Sequence, residues 1–155
     1  MTKQSEGEYV TNRRRAEIAN AANADLMIRL HCDAANARGY AVYAPDRTGT
    51  VSGVSGPSST VISASTGMMG AFYEGMKSVL AGTLSGRGTH GDSATYVGSR
   101  QGALTGSIFS QVPTLTVEMC VLTNAQDEAF INSASGQAKM VEALRAGLEY
   151  AFGGR

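Results

Sequence analysis

Residues 15–34 read R-A-E-I-A-N-A-A-N-A-D-L-M-I-R-L-H-C-D-A, and they decide the fold. The first half is rich in Ala and, with Arg13 and Arg14 before it, carries the Ala, Arg and Glu that favour a helix. Asn12 stands where a capping side chain is needed, so the spacing predicts a helix from there to about Asn23. From Asp25 the period changes to two. Leu26, Ile28 and Leu30 alternate with Met27, Arg29 and His31, which is the signature of a strand. Both sets are largely apolar, so the strand is expected at the centre of its sheet. An arginine there is costly unless paired, and Arg29 is expected to meet a carboxylate or a backbone carbonyl. The strand ends on His31.

A second stretch of the same kind, V-P-T-L-T-V-E-M-C-V-L-T-N, covers Val112 to Asn124. Pro113 stands at its start, where proline is tolerated, and Thr114 to Met119 reads as a buried strand carrying Glu118. Between the two strands, Gly39 to Tyr43 predicts a short strand, and Pro45 to Pro57 a Gly/Ser-rich loop. Ser58 or Ser59 caps a long helix, with Val61, Ile62, Met68, Met69, Phe72, Met76, Val79 and Leu80 at helical spacing. The methionines there read as core filler. Residues 86–111 read as irregular, with His90 on the surface. Asp127 and Glu128 suit the first turn of a short helix. A last helix sets Met140, Val141, Leu144, Leu148, Ala151 and Phe152 on one face. The order of elements predicts one α/β domain, a small mostly parallel sheet flanked by helices on both faces. Ligands gather at the carboxyl ends of strands in such sheets, which is where His31 and Glu118 are expected.

Composition narrows the function. The 155 residues carry 13 Lys+Arg against 13 Asp+Glu, without the basic excess of a nucleic-acid binder. No apolar run reaches the ~18–20 residues of a membrane span, and no signal-peptide h-region follows Met1. Cys32 and Cys120 belong to no CxxC pair. They read as small buried residues, with a disulfide or redox role open only if the two strand ends are neighbours.

Several chemistries fail on motif. There is no G-x-S-x-G elbow, no Walker loop and no G-x-G-x-x-G after a strand. A Cys32 nucleophile beside His31 is poorly placed, because neighbours on a strand point to opposite faces. A metal hydrolase fits better: a neutral imidazole binds zinc, and a nearby carboxylate takes the proton of activated water. His31 is then the metal ligand and Glu118 the general base and acid. One histidine does not make a zinc site, and a structural role for His31 stays open on these residues alone.

The two stretches resemble the signatures of the zinc-dependent N-acetylmuramoyl-L-alanine amidases of the amidase-3 type, bacterial cell-wall hydrolases. The first family pattern is matched by Arg15, Ala19-Asn20, Ala24-Asp25 and Leu30-His31, the second by Pro113, Val117-Glu118 and Leu122-Thr123-Asn124. The resemblance covers roughly residues 1–152. It implies an amidase-3-like fold and hydrolysis of the amide between N-acetylmuramic acid and L-alanine of peptidoglycan stem peptides. It further implies zinc as cofactor, with His31 as a ligand and Glu118 as proton shuttle, and an extracellular, cell-wall or periplasmic site of action with peptidoglycan or a muropeptide as partner. The family's Gly-His-Gly-Gly turn and the glutamate ligand after it have no match before Arg15. Met1-Thr2-Lys3 resembles a Met-Thr-Arg that lies further into the family domain, so the chain reads as N-terminally incomplete relative to the family. Cys120-Val121 replace the usual Gly-Phe. Three explanations stand open: a truncated active amidase, which the intact second motif favours; a homologue that binds peptidoglycan without cutting it; or a metal site rebuilt around His31 with His90, Cys32 or Cys120.

Overall fold

The computed structural model describes residues 2–5 and 7–153; Met1, the first residue of the Met-Thr-Lys match, lies outside them. The elements in chain order are α1 (Asn12–Ala21), β1 (Met27–Asp33), β2 (Tyr40–Ala44), β3 (Gly49–Val51), β4 (Val54–Gly56) and α2 (Ser59–Leu80). Then follow β5 (Gly86–Gly91), α3 (Gly98–Gln101), α4 (Thr105–Ile108), β6 (Thr114–Val121), α5 (Ala125–Asn132) and α6 (Ala134–Phe152). This is the expected mixed α/β class. The chain gathers into two compact units. The first holds the residues up to Ile28, Ala44–Thr66 and Gly91–Leu115; the second holds Arg29–Tyr43, Gly67–His90 and the residues from Thr116 onward.

In the first unit, the cap of α1 is Thr11 rather than Asn12: its Oγ1 accepts the Arg14 N–H at 3.1 Å, and Asn12 becomes the first helical residue. Ala16, Met27 and Val112 form a small core with Ala19, Ala24 and Phe109. Asn20 is bound into this unit from both ends, donating to the Phe109 carbonyl at 3.0 Å and accepting the Gln111 N–H at 2.8 Å. The expected loop at 45–57 contains a hairpin, β3 against β4, with Gly49 opposite Gly56. Its two turn residues, Ser52 and Gly53, have φ of 49° and 74°, the left-handed pair that matches the twist of a two-residue hairpin. Gly/Ser content hid this short strand pair.

The main sheet has the order β1-β6-β2-β5. β2 and β6 are antiparallel, with Ala41 opposite Glu118 and Tyr43 opposite Thr116. β1 and β6 run parallel: the Met27 N–H donates to the Pro113 carbonyl and the Leu122 N–H to the Asp33 carbonyl, both at 2.8 Å. β5 follows β2 in the same sense, from the Tyr40 N–H on the Ser85 carbonyl at 2.9 Å to the Tyr43 ring beside His90. β5 lies inside the segment expected to be irregular, because its sequence G-R-G-T-H-G has no apolar period to announce it.

One expectation about β1 is corrected. It has a strand neighbour on one side only among the described residues, so it is an edge rather than a central strand, and Leu30 is 51% exposed. Apolar content on both faces reported burial that only the first half of the strand has. Arg29 is buried, and its Nη1 donates to the Thr116 hydroxyl at 2.9 Å.

In the second unit, Tyr40, Val42, Val117, Val121, Phe72, Met76, Leu80 and Met140 are buried side chains. Met68 and Met76 are core, as their spacing indicated. The helices α2 and α6 meet through glycine. A Cβ on Gly75 would fall 2.4 Å from the Ala146 carbonyl oxygen, and one on Gly147 would fall 3.0 Å from the Phe72 ring. The buried side of α6 is therefore Gly136, Met140, Ala143, Ala146 and Gly147, whereas Val141 is 66% exposed. The expected apolar stripe is displaced because close approach selects small residues. Asp127 is fully buried, not simply a helix-dipole partner. Its Oδ2 accepts the N–H groups of Gly39 and Val121, tying α5 to both strand ends.

Candidate functional site

The candidate residues lie in the second unit, on the face of β1 and β6 that carries Arg29. In a parallel ladder each residue's N–H bonds the carbonyl one before its partner, and its carbonyl bonds the N–H one after. The two backbone bonds therefore set Met27 opposite Thr114 and Asp33 opposite Val121, six residues of advance on β1 against seven on β6. The extra residue is a bulge. Residues 116–118 still pair regularly with β2, so the bulge follows Glu118. Before it, Arg29 shares a face with Thr116, and His31 and Glu118, two residues further on each strand, continue that face. Beyond it, Cys32 stands opposite Cys120. The two strand ends are neighbours, and both thiols are free.

His31 is solvent-exposed, with its Nε2 3.5 Å from Arg29 Nη2. Glu118 is half-buried, and its Oε2 is fully enclosed without a hydrogen-bond partner among the described residues. Burial pushes the Glu118 carboxyl up, the nearby Asp33 carboxylate pushes it further, and Arg87 and Arg29 pull partly back; the result is about 7.

The sequence did not single out Arg87 or Asp33. Arg87 Nη1 meets Asp33 Oδ2 at 3.0 Å, and Nε donates to the Gly39 carbonyl at 3.2 Å. The guanidinium thus reaches from β5 to the end of β1. Tyr43, on β2, belongs to the same cluster. Its phenol is pushed up by burial, with Asp33 and Glu118 adding to the shift and Arg87 opposing it. Only Asp33 left a local signal, in the triplet His-Cys-Asp; Arg87 sits among glycines with no pattern around it.

His90 is not the surface residue expected. It is half-buried, its ring centroid lies 5.2 Å from that of Tyr43, and its Nε2 lies 3.0 Å from the Arg87 carbonyl oxygen. Cys120 is buried, and burial together with a hydrogen bond to Cys32 pushes its thiol up to about 12, far from a reactive thiolate. No group of three or more His, Cys, Asp or Glu among the described residues converges as a metal-binding set. His31 accordingly forms no such set with His90 or the cysteines among the described residues. The arrangement offers a carboxyl near neutrality, able to take and return a proton at pH 7, inside a ring of fixed charges.

A family model described as N-acetylmuramoyl-L-alanine amidase matches residues 1–150. No curated protein matches the chain. Several solved structures superpose well. The amidase Ami1 of Mycobacterium smegmatis does so with a TM-score of 0.76 at 19% identity, over 100% of this chain and 67% of its own. The apo form of Ami1 from Mycobacterium abscessus gives 0.71 at 23% identity, over 97% and 66%. The catalytic domain of CwlV from Bacillus (Paenibacillus) polymyxa var. colistinus gives 0.69 at 16%, over 94% and 68%. At these identities the likeness is one of fold. The chain spans about two thirds of the length of these structures.

Proposed function

The chain belongs to the N-acetylmuramoyl-L-alanine amidase family, and from that premise we propose that it hydrolyses the amide between N-acetylmuramic acid and L-alanine of peptidoglycan stem peptides, with Glu118 as general base and acid. The observation that carries this reading is the state of Glu118: a half-buried carboxyl held near pH 7 with one oxygen enclosed and unbonded. Ionised, it removes a proton from the attacking water as the new C–O bond forms. Protonated, it returns that proton to the L-alanine nitrogen as the C–N bond breaks. The reading puts the protein's work at the cell wall, extracellular or periplasmic. No helix among the described residues is long and apolar enough to cross a membrane.

Zinc is the cofactor the family resemblance implies, and His31 is proposed as one ligand. The described residues do not fit a complete site: no third ligating group converges, and a guanidinium nitrogen lies 3.5 Å from the His31 Nε2. The same observation favours a second reading, binding of peptidoglycan without cleavage.

Incubation with purified sacculi separates the two. Free L-alanine amino ends appear under the amidase reading and disappear with Glu118→Gln. Sacculus binding with no new amino ends in the parent protein would establish the second reading and refute the first.

A further inference from the structure

We propose that Arg87 is a substrate-binding residue whose unengaged guanidinium edge holds the carbonyl oxygen of the substrate amide beside Glu118. The proposal rests on the amidase reading and deepens it. A guanidinium is planar and offers five donors in a fixed fork. At Arg87 two of its three nitrogens are anchored, Nε on the Gly39 carbonyl at 3.2 Å and Nη1 on Asp33 Oδ2 at 3.0 Å. Two anchors, one at the end of β1 and one just before β2, fix the plane, and the plane fixes where Nη2 points.

That third nitrogen is buried and has no hydrogen-bond partner among the described residues. So is Glu118 Oε2, in the same charged cluster. Buried polar groups without partners are rare in native proteins, and each calls for a specific explanation. Here one is a donor and the other an acceptor. An amide undergoing hydrolysis needs both at once: a donor for the carbonyl oxygen, which gains negative charge as water adds, and an acceptor for the proton of that water. A cation pre-anchored by an ion pair supplies the donor without reorganising during the reaction. Asp33 then acts as a positioning residue, holding Arg87 in plane.

The test follows the Arg87 side-chain NMR resonances of the 155-residue protein during titration with N-acetylmuramoyl-L-alanyl-D-isoglutamine, a soluble fragment containing the amide. A parallel titration uses N-acetyl-L-alanine methylamide, a plain amide without the sugar. Affinities are compared with those of Arg87→Lys, which keeps the charge and loses the fork, and its melting temperature is recorded beside them. The expected result is displacement of the Nη signals by the muramoyl fragment and at least about tenfold weaker binding by Arg87→Lys, at a similar melting temperature. Binding of the fragment with silent Arg87 signals and unchanged affinity in the variant overturns the proposal and leaves the amidase reading intact. A response to the plain amide alone upholds the carbonyl-binding role and removes the muramoyl substrate. No response to either ligand overturns the proposal.

Discussion

Glu118 and Arg29 show how one face of a strand pair makes a group reactive. Arg29 donates to the Thr116 hydroxyl on that face, and its charge lowers the Glu118 carboxyl less than burial raises it. Burial, with the Asp33 carboxylate beside it, raises the carboxyl to about 7, and Arg87 and Arg29 offset only part of that. Turnover on sacculi is expected to rise with pH through about 7 as Glu118 ionises, and Glu118→Gln is expected to abolish it. A rate that is flat from pH 5 to 8 would remove Glu118 from the proton transfer. His31 supports a second expectation. One imidazole without two converging partners holds a divalent ion weakly. Mass spectrometry of the dialysed protein is expected to find well under one zinc per chain. A full equivalent, lost in His31→Ala, would show that ligands gather around His31 in solution.

At the scale of elements, the bulge after Glu118 and the α5 anchor define the end of the sheet. Asp127 is fully buried and accepts two backbone N–H groups, from Gly39 and Val121. Asp127→Ala strands both donors, and its expected cost is about 2–6 kcal/mol in denaturant unfolding, each stranded group being worth roughly 1–3 kcal/mol. Asp127→Asn retains an acceptor oxygen and is expected to lose less. If both variants match the parent, the anchor is not structural. The bulge also brings Cys32 opposite Cys120, whose thiols are joined by a hydrogen bond. Neighbouring positions on adjacent strands satisfy the reach of a disulfide. Oxidised glutathione is expected to close that bond in two exchanges, releasing two glutathione thiols and lowering the protein mass by about two hydrogens. A stable mixed disulfide at Cys32 that never resolves would show that the register places the sulfurs apart.

For the molecule as a whole, the site leaves its mark on the pH dependence of stability. The Glu118 pKa is higher in the folded state than in the unfolded chain, so the folded state binds more protons between the two values. Stability is then expected to fall as pH rises from about 4.5 through about 7, and to level off beyond. Asp46 acts in the opposite sense. Burial pushes its carboxyl up, but hydrogen bonds from Ser93 outweigh that and hold it below its ordinary value of 3.8. The stability it adds is lost only as pH falls through that lower range. Melting curves of the parent and Glu118→Gln check this: the variant is expected to gain on the parent between pH 5 and 8, and parallel curves would show that Glu118 titrates normally. Much of the architecture was legible beforehand. Period two in 26–31 and 114–119, period 3.6 in 59–80, and the residues around His31 and Glu118 announced the main elements, the family and the two candidate positions. Those are local properties, set by which side chains alternate along a few turns of chain. The strand at 86–91, the edge position of β1, the bulge that faces Cys32 to Cys120, and the meeting of Arg87 with Asp33 were not legible. Each depends on pairing between segments far apart in the chain, and only the folded sheet brings them together.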